Sequence, residues 1–269
     1  MQAPQGLQKI EMMKDQLLTV KFNRKISNDV YHMSLAGDCS DISRPGQFID
    51  VLIDDFFLRR PISIYDHDDG HVEILYRAVG GGTCALAEKA PGDTISALLP
   101  LGNGFDISRR GEKTLLVAGG IGMPPVHELA KEFLRIRAGG SDADFQVLIG
   151  FRSADDMFGL EGFGMPGVEL TAATEDGSYG EKGLVTDVMD MLKRVGDGFD
   201  CVMCCGPEPM LKAVYDKAAE LGVASGQFSF EERMGCGFGA CMGCSCVTKY
   251  GYKRICKDGP VLDMDEIVW

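Results

Sequence analysis

Cys236, Cys241 and Cys244 stand in a C-x4-C-x2-C spacing, threaded by Gly235, Gly237, Gly239 and Gly243. No other feature limits the chain so strongly, because a loop that turns three thiols toward one point cannot also bury an apolar core of its own. The spacing is that of plant-type [2Fe–2S] ligation, which needs one more, distant cysteine. The glycines let the backbone wrap closely and aim N–H groups at the sulfurs. Cys246 and Cys256 are both available as the fourth ligand. Cys246 lies two residues past Cys244, and one continuous loop rarely folds four thiolates around two irons, which favours Cys256. A structural zinc site is the alternative, although the paired CxxC knuckles of such sites are missing. Five of the ten cysteines fall in the last 34 residues. In a reducing compartment such clustering reads as metal ligation and not as a disulfide framework. Of the other five, Cys39, Cys84, Cys201, Cys204 and Cys205, most are expected to be small buried side chains.

The segment from about Gly226 is Gly- and Cys-rich and too small for its own core without a metal. The residues before it must therefore supply the folded body. A hydrophobic fraction of 45% over 269 residues is enough for more than one core. The formal net charge of −13 argues against a nucleic-acid partner, which needs clustered Lys and Arg. It also leaves any dianionic cofactor to be neutralised by a few placed cations. No run of about 18 apolar residues is present to span a membrane, and the charged N-terminal stretch lacks the apolar centre of a signal peptide. A cytoplasmic protein is expected.

Over the first hundred residues short strands alternate with turns. Val30–Leu35, Gln47–Ile53, Ile62–Tyr65 and Val72–Tyr76 read as strands, with turns at Pro45-Gly46 and 66–70 and one helix over Cys84–Lys89. That pattern suits a β-barrel or sandwich. After a polar linker, Asp106–Lys113, the period changes. Leu115–Ala118 is a continuous apolar run ending in Gly119-Gly120, as in a buried parallel strand. Val126, Leu129, Ala130, Phe133 and Leu134 then recur at helical spacing behind Pro124 and Pro125, which suit a helix start. Strands Phe145–Gly150, Val168–Ala172 and Asp200–Cys204 alternate with helices Leu184–Arg194 and Met210–Leu221, which implies βαβ units. The expected fold is all-β plus α/β: a β-barrel over residues 8–107, a Rossmann-like parallel α/β domain over 112–225, and a small C-terminal [2Fe–2S] segment over 226–269.

Phosphate-binding elements are legible in both larger parts. Arg60-Pro61-Ile62-Ser63 offers a guanidinium that can grip a phosphate and a hydroxyl that can reach a flavin ring. Some twenty residues on, Gly80-Gly81-Gly82-Thr83 opens a short helix with Thr83 as its expected N-cap, where a pyrophosphate would meet free N–H groups. Gly119-Gly120-Ile121-Gly122 and Cys205-Gly206-Pro207 each follow an apolar strand and open a helix. In open parallel sheets ligands bind at such carboxyl ends, so the pair points to a nucleotide. Glu175 and Asp176 follow another strand; carboxylates there suit ribose hydroxyls and repel a 2′-phosphate, favouring NAD over NADP. The four histidines, His32, His67, His71 and His127, are scattered and form no nucleophile–base pair.

Taken together, these motifs resemble the ferredoxin–NADP+ reductase superfamily, with Arg60 to Ser63 as its flavin-binding RxxS element, Gly119 to Gly122 as its nucleotide loop and Cys205 to Pro207 as its CGP turn. Glu231 to Gly237 and Cys256 to Val261 are similar to the phrases bracketing the cluster loop in the electron-transfer subunits of dihydroorotate dehydrogenase B. The resemblance runs from Pro45-Gly46-Gln47-Phe48 to Pro260. It implies FAD contacts at Arg60, Pro61, Ile62, Ser63, Leu75, Tyr76, Arg77, Gly82 and Thr83. It implies NAD contacts at Gly119, Gly120, Gly122, Cys205, Gly206 and Pro207, beside the Glu175 and Asp176 read from the strand end, and cluster ligation by Cys236, Cys241, Cys244 and Cys256. It further implies an FMN-containing catalytic subunit as partner, oxidising dihydroorotate to orotate in de novo pyrimidine biosynthesis within a heterotetramer of two of each chain. This chain would then pass electrons through the [2Fe–2S] cluster and FAD to NAD+, with no catalytic side chain of its own. Two other readings remain: a flavin and iron–sulfur reductase subunit of another complex, transhydrogenase or sulfide-linked, and a zinc-stabilised binding protein. If Arg60 grips a phosphate, Arg60→Ala weakens FAD retention by about 1.5–3 kcal/mol, measured as flavin content and affinity of the purified chain.

Overall fold

The computed structural model describes residues 13–194 and 198–269. Residues 8–12 of the expected barrel lie outside this range. Six antiparallel strands, β1 (Lys14–Lys25), β2 (Val30–Ala36), β3 (Phe48–Val51), β4 (Arg60–Asp68), β5 (His71–Arg77) and β6 (Thr94–Leu101), close in the order β1-β2-β5-β4-β3-β6. Closure leaves no free edge. Alternate residues point inward: Leu18 and Val20, Ile49 and Val51, Ile62 and Ile64, and Ala97 and Leu99 form one apolar core. A helix of under two turns, α1 (Gly81–Ala87), packs Leu86 into that core. The Asn23 side-chain amide holds its end, donating to the carbonyls of Leu86, Ala87 and Lys89 at 3.0, 3.2 and 3.0 Å, which satisfies acceptors that a helix terminus leaves open.

This helix begins three residues before the expected Cys84, and Thr83 is its third residue and not its N-cap. Gly80 takes the cap position in an extended conformation. The Thr83 hydroxyl reaches back to accept from the N–H groups of Val79 and Gly80, each at 3.2 Å.

The second body is a sheet in the order β10-β9-β8-β7-β11-β12-β15. Its strands are β7 (Lys113–Gly119), β8 (Asp144–Phe151), β9 (Leu170–Thr174), β10 (Glu181–Lys182), β11 (Cys201–Cys205), β12 (Ser225–Ser229) and β15 (Val261–Asp263), and only β15 runs antiparallel. Helix α2 (Met123–Ala138) lies on one face, between the sheet and the barrel, and is buried at every residue from Met123 to Ala130. Its Val126, Leu129 and Phe133 meet Leu116 and Ile149 of the sheet, with Tyr65 and Leu75 of the barrel in the same core. Helices α3 (Val185–Arg194) and α4 (Glu208–Glu220) cover the other face through Val188, Leu211 and Val214. The strand order reverses between β7 and β11, which opens a crevice at their carboxyl ends.

The cysteine segment adds a hairpin, β13 (Ser245–Thr248) and β14 (Gly251–Arg254), then returns as β15 to pair with β12. The boundary expected at 225/226 therefore falls inside β12. The segment does not build a separate core. Cys244, Ile255 and Cys256 pack with Phe48, Leu98 and Leu101 on the outside of the barrel, because those outward positions are apolar. Asn103 clasps the return: its backbone N–H donates to Gly259 O at 2.7 Å, its amide to Val261 O at 2.9 Å, and its Oδ1 accepts from Val261 N at 3.1 Å.

Close backbone contact joins the two glycine turns. A Cβ on Gly122 would lie 2.4 Å from the Cys205 carbonyl oxygen and 2.7 Å from Gly206 Cα, atoms that cannot swing aside. Gly122→Ala is expected to cost about 1–3 kcal/mol as overpacking and to weaken nucleotide binding, measured by thermal unfolding and NADH titration.

Candidate functional site

Three sites meet around the junction of barrel and sheet. In the first, the Arg60 side chain lies against the backbone that opens α1. A Cβ on Gly82 would come within 2.7 Å of Arg60 Nε and Nη2, so the motif residues Arg60, Gly82 and Thr83 are brought together although twenty positions apart. Arg60 also sits over the Phe56 ring, with Cζ 5.3 Å from its centroid, and donates to the Leu58 carbonyl. A planar cation beside a side-chain-free backbone fits a pyrophosphate. Pro61 and Ser63 face out of the barrel, because Ile62 and Ile64 on the same strand face in. Tyr76, by contrast, is buried in the barrel with its hydroxyl donating to Asn23 Oδ1 at 2.9 Å, and Leu75 packs into the core around α2. Of that trio only Arg77 turns its side chain to the cleft, held by a fork to Asp29 at 2.9 and 3.0 Å.

The second site is a cleft of about 440 Å³ at the carboxyl ends of the parallel strands, lined by Gly119, Gly120, Arg152, Glu175, Pro207 and Met210 among others. Gly120 has φ +50, and a Cβ there would touch nothing within 4 Å, so its backbone faces open space. Glu175 reaches the cleft. Asp176 instead caps its own turn, with Oδ1 accepting from Ser178 N at 2.9 Å and Ser178 Oγ at 2.6 Å, and these donors hold its carboxyl below the usual range. Cys205 ends β11 with its side chain buried, and burial pushes its thiol up to about 12. It is packing, beside a cleft whose wall is Pro207. Arg152, unremarked in the sequence, stands at the rim and pairs with Asp156 at 3.1 Å.

The third site is the cysteine loop. Cys244 and Cys256 bring their sulfurs to 3.2 Å. Backbone N–H groups point at the thiols: Ala240 and Cys241 at Cys236 Sγ (3.2 and 3.4 Å), Gly243 at Cys241 Sγ (3.4 Å) and Cys256 at Cys244 Sγ (3.4 Å). A Cβ on Gly235 would stand 3.2 Å from Cys241 Sγ. Burial raises Cys236, yet hydrogen bonds from the N–H groups of Cys241, Phe238 and Ala240 and from the Cys241 thiol outweigh it and the thiol is lowered. Thiols so surrounded by donors fit an iron–sulfur cluster, whose sulfurs are anionic acceptors. Cys246 is elsewhere: paired opposite Lys253 in the hairpin, it lines a separate hollow with Phe230, Val247 and Trp269. Arg254 braces the loop, donating to Gly239 O at 3.0 Å while forking onto Asp258 at 2.8 and 3.0 Å. The opposite charges four residues apart around Cys256 were the signal of that brace in the sequence. Of the remaining cysteines, Cys39, Cys201 and Cys204 are buried and Cys84 is exposed.

The outer face of the barrel links the first and third sites. Ser63 pairs with Phe48 and Pro61 with Asp50 across β4 and β3, and Phe48 and Asp50 pair in turn with Leu101 and Leu98 of β6. Partners across a ladder share a face, so Pro61 and Ser63 and the strand row under the cysteine loop stand one strand apart. Burial pushes the Asp50 carboxyl in this row up to about 6, against the pull of Arg59 and Arg60.

A barrel with an arginine–glycine cradle, a switch-point cleft and a thiol loop together define a flavin- and nicotinamide-dependent oxidoreductase with an iron–sulfur domain. Residues 231–268 match the family model described as the iron–sulfur cluster binding domain of dihydroorotate dehydrogenase B. The dihydroorotate dehydrogenase B (NAD(+)) electron transfer subunit of Bacillus caldolyticus is 40% identical over 262 residues, covering 93% of this chain and 97% of its own. That of Bacillus pumilus is 41% identical over 266 residues, covering 95% and 98%. Among solved structures, a chain of the NADH-dependent reduced ferredoxin–NADP oxidoreductase superposes with a TM-score of 0.83 at 31% identity, covering 94% of this chain and 90% of that one. The chain belongs to the family of dihydroorotate dehydrogenase B electron transfer subunits. No helix among the described residues is long and apolar enough to cross a membrane.

The two candidate fourth ligands separate cleanly in a test. Cys256→Ser is expected to abolish the [2Fe–2S] visible and EPR spectra and to loosen the C-terminal segment, while Cys246→Ser keeps both. Iron analysis should give two irons per chain in the Cys246 variant.

Proposed function

We propose that this chain carries electrons from the FMN of a catalytic partner subunit to NAD+ while the partner oxidises dihydroorotate to orotate. In this reading Cys236, Cys241, Cys244 and Cys256 hold the cluster, and Arg60 to Ser63 with Gly82 and Thr83 hold the FAD. The observation that carries it is the shared barrel face: Cys244 and Cys256 share one apolar core with Phe48 and Leu98, one strand from Pro61 and Ser63. When bound, FAD supplies the exchange between two-electron hydride chemistry and single-electron transfer.

The chain's own groups bind, orient and exclude. Arg60 neutralises phosphate charge that an acidic protein would otherwise repel. The Gly119-Gly120 turn lets the dinucleotide approach the backbone. Glu175 accepts from ribose hydroxyls and repels a 2′-phosphate. Apolar side chains stand exposed around the cluster segment, Phe238 at 44%, Met242 at 53% and Tyr252 at 76%, and suit a partner that must come close to the cluster. Two copies of each subunit in the cytoplasm complete the proposal.

A second reading follows the 31% structural likeness, that of a subunit in a different NADH-dependent complex. The higher identity of 40% over nearly full length and the cluster-domain match favour the first. Co-expression with an FMN subunit and assay of dihydroorotate-dependent NAD+ reduction separates them, and absence of that activity in a complex retaining both flavins and cluster would falsify the first. Within it, NADH is preferred to NADPH. Glu175→Ser narrows the ratio of the two kcat/KM values about tenfold, equivalent to roughly 1.4 kcal/mol, whereas Asp176→Ser leaves it unchanged because that carboxylate serves its own turn.

A further inference from the structure

Asp50 is a buried carboxyl group in the barrel wall. It is 2% exposed, and its Oδ1 is buried without a hydrogen-bond partner among the described residues. The nearest cations spend their donors elsewhere. Arg59 gives its own to the Asp50 and Ser96 carbonyls, the Ser96 hydroxyl and the Asp15 carboxylate; Arg60 donates to the carbonyls of Leu58 and Arg59. A buried carboxylate without direct compensation opposes folding, and such a group calls for an explanation.

Its position supplies one. Asp50 lies opposite Pro61 on one side and Leu98 on the other, facing outward because Ile49 and Val51 occupy the core. Above it runs the cysteine loop: a Cβ on Gly237, whose φ is +76, would lie 2.4 Å from Asp50 Oδ2. The carboxylate thus touches the residue after Cys236 with no side chain between them. On the loop's other flank, at Gly239, stand Lys257 and Arg254. The carboxyl group on the barrel side is enclosed, where screening by water is weak.

We propose that Asp50 sets the reduction potential of a cluster bound by this loop, its buried carboxylate opposing the arrival of an electron from its place between the flavin face and Gly237. Net charge near the sulfurs is one of the levers that tune such clusters, and a fixed negative charge makes the reduced state less favourable. The inference rests on the cluster assignment above. Its test is a redox titration of the full chain purified with FAD and cluster, followed by EPR. Asp50→Asn and Asp50→Ser should keep the cluster and shift its midpoint potential positive, while Asp50→Glu returns it toward the parent value. An unchanged or more negative potential in both neutral variants overturns the proposal. Loss of the cluster from both overturns it too, since Asp50 would then hold the loop in place. If the parent chain shows no [2Fe–2S] signal, the cluster assignment has failed and Asp50 with it.

Discussion

Phe48, Leu98 and Leu101 on the outside of the barrel, joined in one apolar core with Cys244, Ile255 and Cys256, form the contact on which the rest depends. A segment rich in glycine and thiols has little apolar surface to fold around, and a small scaffold without a core needs an external staple. Here the barrel lends the core, Asn103 clasps the chain at Val261, and β15 pins its far end to the nucleotide sheet. The same contact fixes the cysteine loop one strand from Pro61 and Ser63. The closeness of the two faces is thus a by-product of how the segment is folded.

A second consequence concerns helix α2. Its first two turns are buried on every side, so polar residues on them need partners. The ring nitrogens of His127 lie 3.0 and 3.2 Å from the carbonyls of Tyr65 and Gly162, and buried Glu128 lies 3.4 Å from Lys131, which also pairs with Asp66 of the barrel. These contacts orient the barrel against the sheet, so that Arg77 faces the same cleft as Gly119 and Gly120. A flavin held by one body and a nucleotide held by the other meet only if that orientation is kept.

Local pattern made much of this legible. The runs over Leu115–Ala118 and Asp200–Cys204 became β7 and β11, and the proline-led helix began at Met123, because a two-sided buried strand and a helix start leave marks within a few residues. The strands β1, β6, β10, β12 and β15 left no such mark. The partners of β6 and of β15 are remote in sequence, and β10 and β15 have only two and three residues, too few to show a period. The errors at α1 share a cause: capping depends on which residue stays extended, and Gly80 outcompeted Thr83 for that role.

The sequence by itself determined the chemistry available: the spacing of Cys236, Cys241 and Cys244, the arginine and glycines for phosphate, and the turns that end apolar strands. These are properties of neighbouring residues, and covalent spacing limits what they can bind. Only the tertiary structure decided how they are used. It set Cys256 beside Cys244 and turned Cys246 away, gave Glu175 to the cleft and Asp176 to its own turn, and put a buried carboxylate under Gly237. Each of those choices depends on which face of a strand or turn meets a distant segment. Two residues of identical chemistry, one or a few positions apart, cannot be told apart until the chain has packed.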